Sequence, residues 1–375
     1  MKILLTGGST GGHFYPLIAV AESLYDRATQ KKILKPELWY MDSSKYNPRA
    51  LFDNDIQYIE VPAGKLRRYF SFLNFTDLIK TATGILLALI NMWKIYPDVV
   101  FGKGGYSSFP ALVAARFFGI PVVIHESDST PGIVNKWAGK FAKRVAVSYP
   151  DAAKFFDQNK VAYTGNPIRR EIRIPLSEGA HEQLGLDKNI PTILILGGSQ
   201  GSVIMNDVLM DSLPTLLDSY QIIHQTGRKN FAEVTRTAGV ILTGHAHSNR
   251  YKPLDYLNDL TMRLSAGAAD LVISRAGSTI FEIAAWKKPS IIIPISPAVS
   301  HDQTKNAFSY ARTGACKVIE EHNLSTHVFV SEINTLMSNK AELTDMSAKA
   351  GSFARLDSGE KIADVLLEIA LQHEA

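Results

Sequence analysis

Two stretches of this 375-residue chain, "KILLTGGSTGGHFYP" and "TILILGGSQGSVIMN", share one plan: an apolar run, a glycine-rich turn, then the start of a helix. A run that is apolar at every position suits a strand covered on both faces, as in a parallel sheet. A parallel neighbour needs a crossover, and the amphipathic segment after each turn can supply it. Such a turn gathers free backbone N–H groups and the positive end of a helix at one point, which favours phosphate. The plan appears twice, half a chain apart. That predicts an α/β chain with two similar doubly wound parallel-sheet domains.

The intervening pattern agrees. "KILLT", "ELWYM", "QYIEV", "DVVF", "PVVIHE" and "RVAV" read as strands, and the series restarts with "PTILILGG", "YQIIHQTG", "ADLVIS" and "PSIIIPI". Alternation of strands and helices implies sheets with helices on both faces. The period lapses over 164–190, which carries Arg169, Arg170 and Arg173 among prolines and turn formers. The linker is expected there, with an N-terminal domain at 1–164 and a C-terminal domain at 165–350. A closing helix within 352–375 is expected to complete the first domain.

Composition excludes some classes. With 46% hydrophobic and 20% charged residues, the chain can bury two ordinary cores. A formal charge of +4 is too small to argue for nucleic acid but suits an anionic ligand or surface. One cysteine, Cys316, allows no internal disulfide and fits a cytosolic home. The uninterrupted apolar run "TATGILLALINMW" is shorter than the ~20 residues of a spanning helix, so no crossing is expected. "GKLRRYFSFLNF", with Arg67 and Arg68 ahead of several aromatics, suits an anionic membrane interface. A buried core segment is the plainer reading of the same aromatics.

Neither glycine turn is the dinucleotide fingerprint, and no acidic residue is expected at the end of the second strand at the distance that fingerprint requires. A third cluster, Gly102, Gly104 and Gly105 in "FGKGGYSSFP", follows the strand "DVVF". Strand ends of this sheet class line one crevice, so the first domain reads as a cradle for an extended anion. The gap between the domains is the expected active site. His13, at the first helix start, and Glu126, at the end of "PVVIHE", are the candidate general bases. No metal site is expected. "DND" at Asp53–Asp55 is ordinary turn chemistry, and His245 with His247 lacks a third ligand.

"GGSTGGHFYP", "FGKGGYSSFP", "PVVIHES", "GNPIR", "LGGSQGS", "HQTG", "ADLVISRAG" and "HDQTKNA" occur in an order that resembles the MurG family of peptidoglycan N-acetylglucosaminyltransferases, over nearly the whole chain. The resemblance implies GT-B architecture. It implies transfer of N-acetylglucosamine from UDP-N-acetylglucosamine to the muramoyl 4-hydroxyl of lipid I, with inversion, to give lipid II. It implies no tightly bound cofactor. It places the protein peripherally on the cytoplasmic face of the bacterial cell membrane, with lipid I, the anionic membrane surface and other cell-wall synthesis proteins as partners. The first turn, with Gly104 and Gly105, would face the acceptor pyrophosphate, joined by Tyr106 and Asp128. The second turn, at Ser199 and Gln200, would face the donor pyrophosphate. Donor contacts are further implied for Thr10, Gly11, Gly12, Arg169, Ser278 and Thr279. Leu257 would offer backbone groups to uracil, Glu282 would accept from the ribose, and Gln303 would touch the sugar.

Plainer roles remain for several of these: a linker charge for Arg169, a helix cap for Ser199, a solvated first-turn acid for Glu282. The chain departs from the family pattern in three places. The 277–282 loop is one residue shorter. Ser127–Asp128 stands where Gln–Asn is usual. "HDQ" at 301–303 reverses the usual Asp–His order. Two other readings stay open: another GT-B nucleotide-sugar enzyme, such as a UDP-N-acetylglucosamine 2-epimerase, or a non-catalytic nucleotide-binding membrane adaptor.

Overall fold

The computed structural model describes residues 1–8, 10–65, 73–198, 201–296 and 301–374. The chain divides into two compact units, Met1–Arg170 with Arg355–Ala375, and Glu171–Ala354.

The first unit carries a parallel sheet of β1 (Lys2–Thr6), β2 (Glu37–Asp42), β3 (Ile56–Glu60), β4 (Val99–Gly102), β5 (Val122–Glu126), β6 (Arg144–Val147) and β7 (Val161–Tyr163). Their order is β3-β2-β1-β4-β5-β6-β7. β1 is buried on both faces because side chains alternate along a strand. Ile3 and Leu5 pack with Leu17 and Val20 of the helix Gly11–Gln30 and with Leu366 and Leu367 of the helix Ser358–Glu374. Leu4 turns the other way, toward Ala88 and Met92 of the helix Leu73–Ile95. Each such buried aliphatic contributes ~1.5–3 kcal/mol. Asp364 anchors the closing helix by accepting from Arg27 at 2.9 and 2.7 Å and pairing with Lys31 at 2.8 Å.

The second unit repeats the plan with β8 (Thr192–Leu196), β9 (Gln221–Gln225), β10 (Tyr251–Leu254), β11 (Leu271–Ser274), β12 (Ser290–Ile292) and β13 (Cys316–Val318), ordered β10-β9-β8-β11-β12-β13, all parallel. In each unit the winding reverses beside the first strand, between β1 and β4 and between β8 and β11. The loops leaving those strands diverge, and ligands of such sheets bind in the gap.

Three strands of three or four residues, β7, β10 and β13, are too short to stand out in the sequence pattern. Thr164–Arg170 belongs to the first unit, although the sequence places the linker from 164. The rest of that stretch is tied into the second unit, where Ile172 O accepts from Trp286 Nε1 at 2.6 Å.

The helix Leu73–Ile95 corrects the length estimate. It runs for 23 residues, and Phe75–Ile95 is long and apolar enough to cross a membrane by length and composition. In this fold, however, one side lies on protein: Ala88 and Met92 are fully buried, and Gly84 abuts the Pro62 carbonyl. The opposite side leaves Phe75, Leu78, Ile79, Leu86, Ile90 and Trp93 exposed.

Candidate active site

The turns after β1 and β4 meet backbone to backbone. Gly7 has φ +98°, and a Cβ there would lie 2.5 Å from the Gly104 carbonyl oxygen, so only glycine permits the approach. The turn holds an anion, but an internal one. Asp42, fully buried at the end of β2, accepts from Gly7 N at 2.9 Å, Gly8 N at 2.8 Å and Ser107 Oγ at 3.0 Å. Its other oxygen accepts from Ser43 N at 2.7 Å. An acidic residue thus does end the second strand, but it binds the glycine turn itself. This carboxylate ties three strand-end loops together and occupies the Gly7 and Gly8 amides. Farther on, Thr10 is the exposed N-cap of the helix Gly11–Gln30, and its carbonyl accepts from His13 N and Phe14 N. No acceptor for the Gly11 and Gly12 amides stands among the described residues.

His13 projects from the first turn of that helix. Its Nδ1 is shielded from solvent and makes no hydrogen bond among the described residues. Burial first, then the Lys103 charge, pushes its pKa down to about 4, while Asp42 pulls upward. Its imidazole is thus neutral near neutral pH and able to take a proton. A Cβ on Gly105 would stand 3.4 Å from that Nδ1, so glycine keeps the space beside it open.

Glu126 ends β5 and is 4% exposed. It accepts from Asp128 N at 2.9 Å, Gly132 N at 3.1 Å and Asn135 Nδ2 at 2.9 Å. Burial and the Asp128 charge push its carboxyl up. Its oxygens shape the 127–132 loop. Asp128 and Tyr106 are half-buried.

The residue at the middle of this cluster has almost no local sequence signature. Lys103, 1% exposed between β4 and Gly104, donates to His125 Nδ1 at 2.5 Å, Ser127 Oγ at 2.5 Å and Asn166 Oδ1 at 3.0 Å. His125 Nε2 meets the Gly165 carbonyl at 2.9 Å, which fixes its proton on Nε2 and leaves Nδ1 as the acceptor. The only sequence signal was a lysine lodged between glycines at a strand end.

Arg169 lies in the first unit, its guanidinium 4.1 Å from the Tyr15 ring centroid. This is stacking distance for a cation on an aromatic face.

Ser199 and Gln200 of the second unit lie outside the described residues, as do 66–72 of the first unit with Arg67 and Arg68. The described flank of the second turn holds a buried cation. Arg275, just past β11, donates to Ser202 Oγ at 2.6 Å and pairs with Glu321 at 2.6 Å. Ser202 in turn caps the helix Val203–Leu217. Ser278 is the N-cap of the helix Thr279–Ala285, Glu282 sits in its first turn, and both are half-buried with Thr279. Gln303 Oε1 accepts from Ile295 N at 3.2 Å, and Asn306 Nδ2 donates to the Ala276 carbonyl at 3.3 Å. Thus the loops after β8, β11 and β12 are linked at one end of the sheet. Leu257 is buried, 3% exposed, ahead of the helix Asp259–Ala268. Asp53 pairs with Arg49, Asp55 with Lys35, and His245 with Asp218. No group of three His, Cys, Asp or Glu residues converges among the described residues.

A model of the glycosyltransferase family 28 N-terminal domain matches residues 3–147, and one of the family's C-terminal domain matches 192–363. A Clostridium botulinum protein named UDP-N-acetylglucosamine–N-acetylmuramyl-(pentapeptide) pyrophosphoryl-undecaprenol N-acetylglucosamine transferase is 35% identical over 363 residues, 96% of each chain. The crystal structure of Acinetobacter baumannii MurG superposes with a TM-score of 0.72 at 25% identity, covering 98% of this chain and 99% of that one. A Neisseria meningitidis UDP-GlcNAc 2-epimerase bound to UDP-GlcNAc shares the fold, with a TM-score of 0.68 at 14% identity over 98% of this chain and 100% of its own.

Proposed function

The chain belongs to glycosyltransferase family 28, and we propose that it transfers N-acetylglucosamine from UDP-N-acetylglucosamine to the muramoyl 4-hydroxyl of lipid I, forming lipid II. The observation that carries this is 35% identity across 96% of both chains to a transferase named for that reaction. The 2-epimerase shares only the fold, so it gives the alternative no comparable support.

In this reading the acceptor hydroxyl oxygen attacks the anomeric carbon as the bond to the UDP β-phosphate oxygen breaks. One displacement inverts that carbon. The hydroxyl proton passes to His13, whose neutral, unbonded Nδ1 suits a base. Glu126, whose oxygens already hold three donors, positions the 127–132 loop rather than taking the proton. Gly104, Gly105, Tyr106 and Asp128 border the acceptor. Ser199, Gln200, Ser278 and Thr279 receive the donor diphosphate, where helix N-termini oppose the charge on departing UDP. Arg169 adds a cation to the phosphates. Glu282 accepts from the ribose, Leu257 offers backbone groups to uracil, Gln303 touches the sugar, and donor contacts are also assigned to Thr10, Gly11 and Gly12. The exposed apolar side of Leu73–Ile95 is read as resting on the anionic cytoplasmic membrane surface that carries lipid I.

Labelled UDP-N-acetylglucosamine incubated with a short-chain lipid I analogue should yield labelled disaccharide lipid and UDP in equal amounts. Donor turnover without acceptor, giving an epimerised sugar nucleotide, would refute the assignment.

A further inference from the structure

We propose that Lys103 is a positioning residue of the acceptor site: its buried ammonium is the fixed positive charge that holds the acceptor diphosphate against the Gly104–Gly105 turn. This rests on the transferase reading above. An ammonium has three donors, and here all three go to neutral acceptors, His125 Nδ1, Ser127 Oγ and Asn166 Oδ1. No carboxylate pairs with it among the described residues. A side chain 1% exposed therefore holds a charge that is fully hydrogen-bonded but not neutralised within contact distance. Burying an unpaired charge is unfavourable; a methionine of similar length would fill the same space without the charge, at the cost of leaving three acceptors without their donor. An anion brought to the adjacent turn removes the penalty, and the low dielectric around a buried charge lengthens its reach.

The neighbours define the sign. His13 is held neutral, as is His125, whose pKa is pushed far down by burial and by Lys103. Glu126 and Asp128 favour the ammonium, yet burial still lowers the Lys103 pKa to about 7. Its charge is therefore present below about pH 7 and is lost above it. The unfolded chain holds that proton up to the ordinary 10.5, so native stability rises with pH across the interval. The burial penalty is then greatest on its acid side.

The test uses a short dialkyl diphosphate diester, whose charge is constant between pH ~6 and ~9, with UDP saturating the donor site. Lys103→Met should weaken diester binding about tenfold near pH ~6 while leaving UDP affinity unchanged, and should flatten the rise of Tm with pH that the wild type shows. Wild-type affinity should fall as pH rises, and the variant's should stay flat. Glu126 gains negative charge over the same range and gives a slope of the same sign; a slope that persists in Lys103→Met belongs to Glu126 and overturns the proposal. So does diester binding by the variant equal to wild type. Should the Met variant not fold, a wild-type affinity that ignores pH overturns it equally. Failure of the transferase reading is separate, since it appears as absent disaccharide product whatever the diester does.

Discussion

His13 stands between opposite charges, with Lys103 lowering its pKa and Asp42 raising it. In the proposed function only the neutral imidazole can accept the acceptor's proton, and kcat/KM reports the free enzyme. Activity is therefore lost on the acid side as pH falls through about 4, well below the ordinary histidine range. Removing a positive neighbour makes protonation easier, so Lys103→Met should shift the acid limb of the kcat/KM profile to higher pH. A profile that keeps its acid limb in place would break the link between the two residues. The glycines and His13 could be read from the sequence because turn chemistry is local. Asp42 and Lys103 could not. "MDSS" and "FGKGG" look like ordinary loop entrances until strand pairing brings Asp42 onto the Gly7 and Gly8 amides and Lys103 under His125.

At the scale of elements, central strands were legible, and of the sheet edges β3 was legible as "QYIEV" while β7, β10 and β13 were not. β1, β4, β5, β8 and β11 are buried on both faces, so each carries an unbroken apolar signature. β7 and β10 are sheet edges, part-exposed and short, and Pro253 in β10 is tolerated at an edge. The helix Leu73–Ile95 shows a different limit, because composition cannot say which side meets protein. Its exposed side predicts a membrane contact. Phe75 and Trp93 are 69% and 68% exposed, so Phe75→Ser with Trp93→Ser should shift stability by less than ~1 kcal/mol. Each aromatic transferred out of water is worth ~1.5–3 kcal/mol, so the pair should reduce cosedimentation with anionic vesicles at least tenfold. Full vesicle binding by the double variant would remove the helix from the membrane account.

For the whole molecule, the proposed function has one sheet plan, repeated with divergent loops, take a different phosphate ligand in each unit. The fold repeats; the charges at the switch points do not. The first unit presents a buried lysine, an internal carboxylate on its glycine turn and a neutral histidine. The second presents an arginine paired with Glu321 beside its own turn. The central claim is that the second unit takes the sugar nucleotide and the first takes the lipid diphosphate. Hydrogen–deuterium exchange with each ligand separately tests it most directly. UDP-N-acetylglucosamine should protect peptides across 197–206, 275–283 and 301–306, and a short-chain lipid I analogue should protect 102–108 and 126–132. Protection by the nucleotide chiefly at 102–108 and 126–132, with the second unit unchanged, would contradict the account.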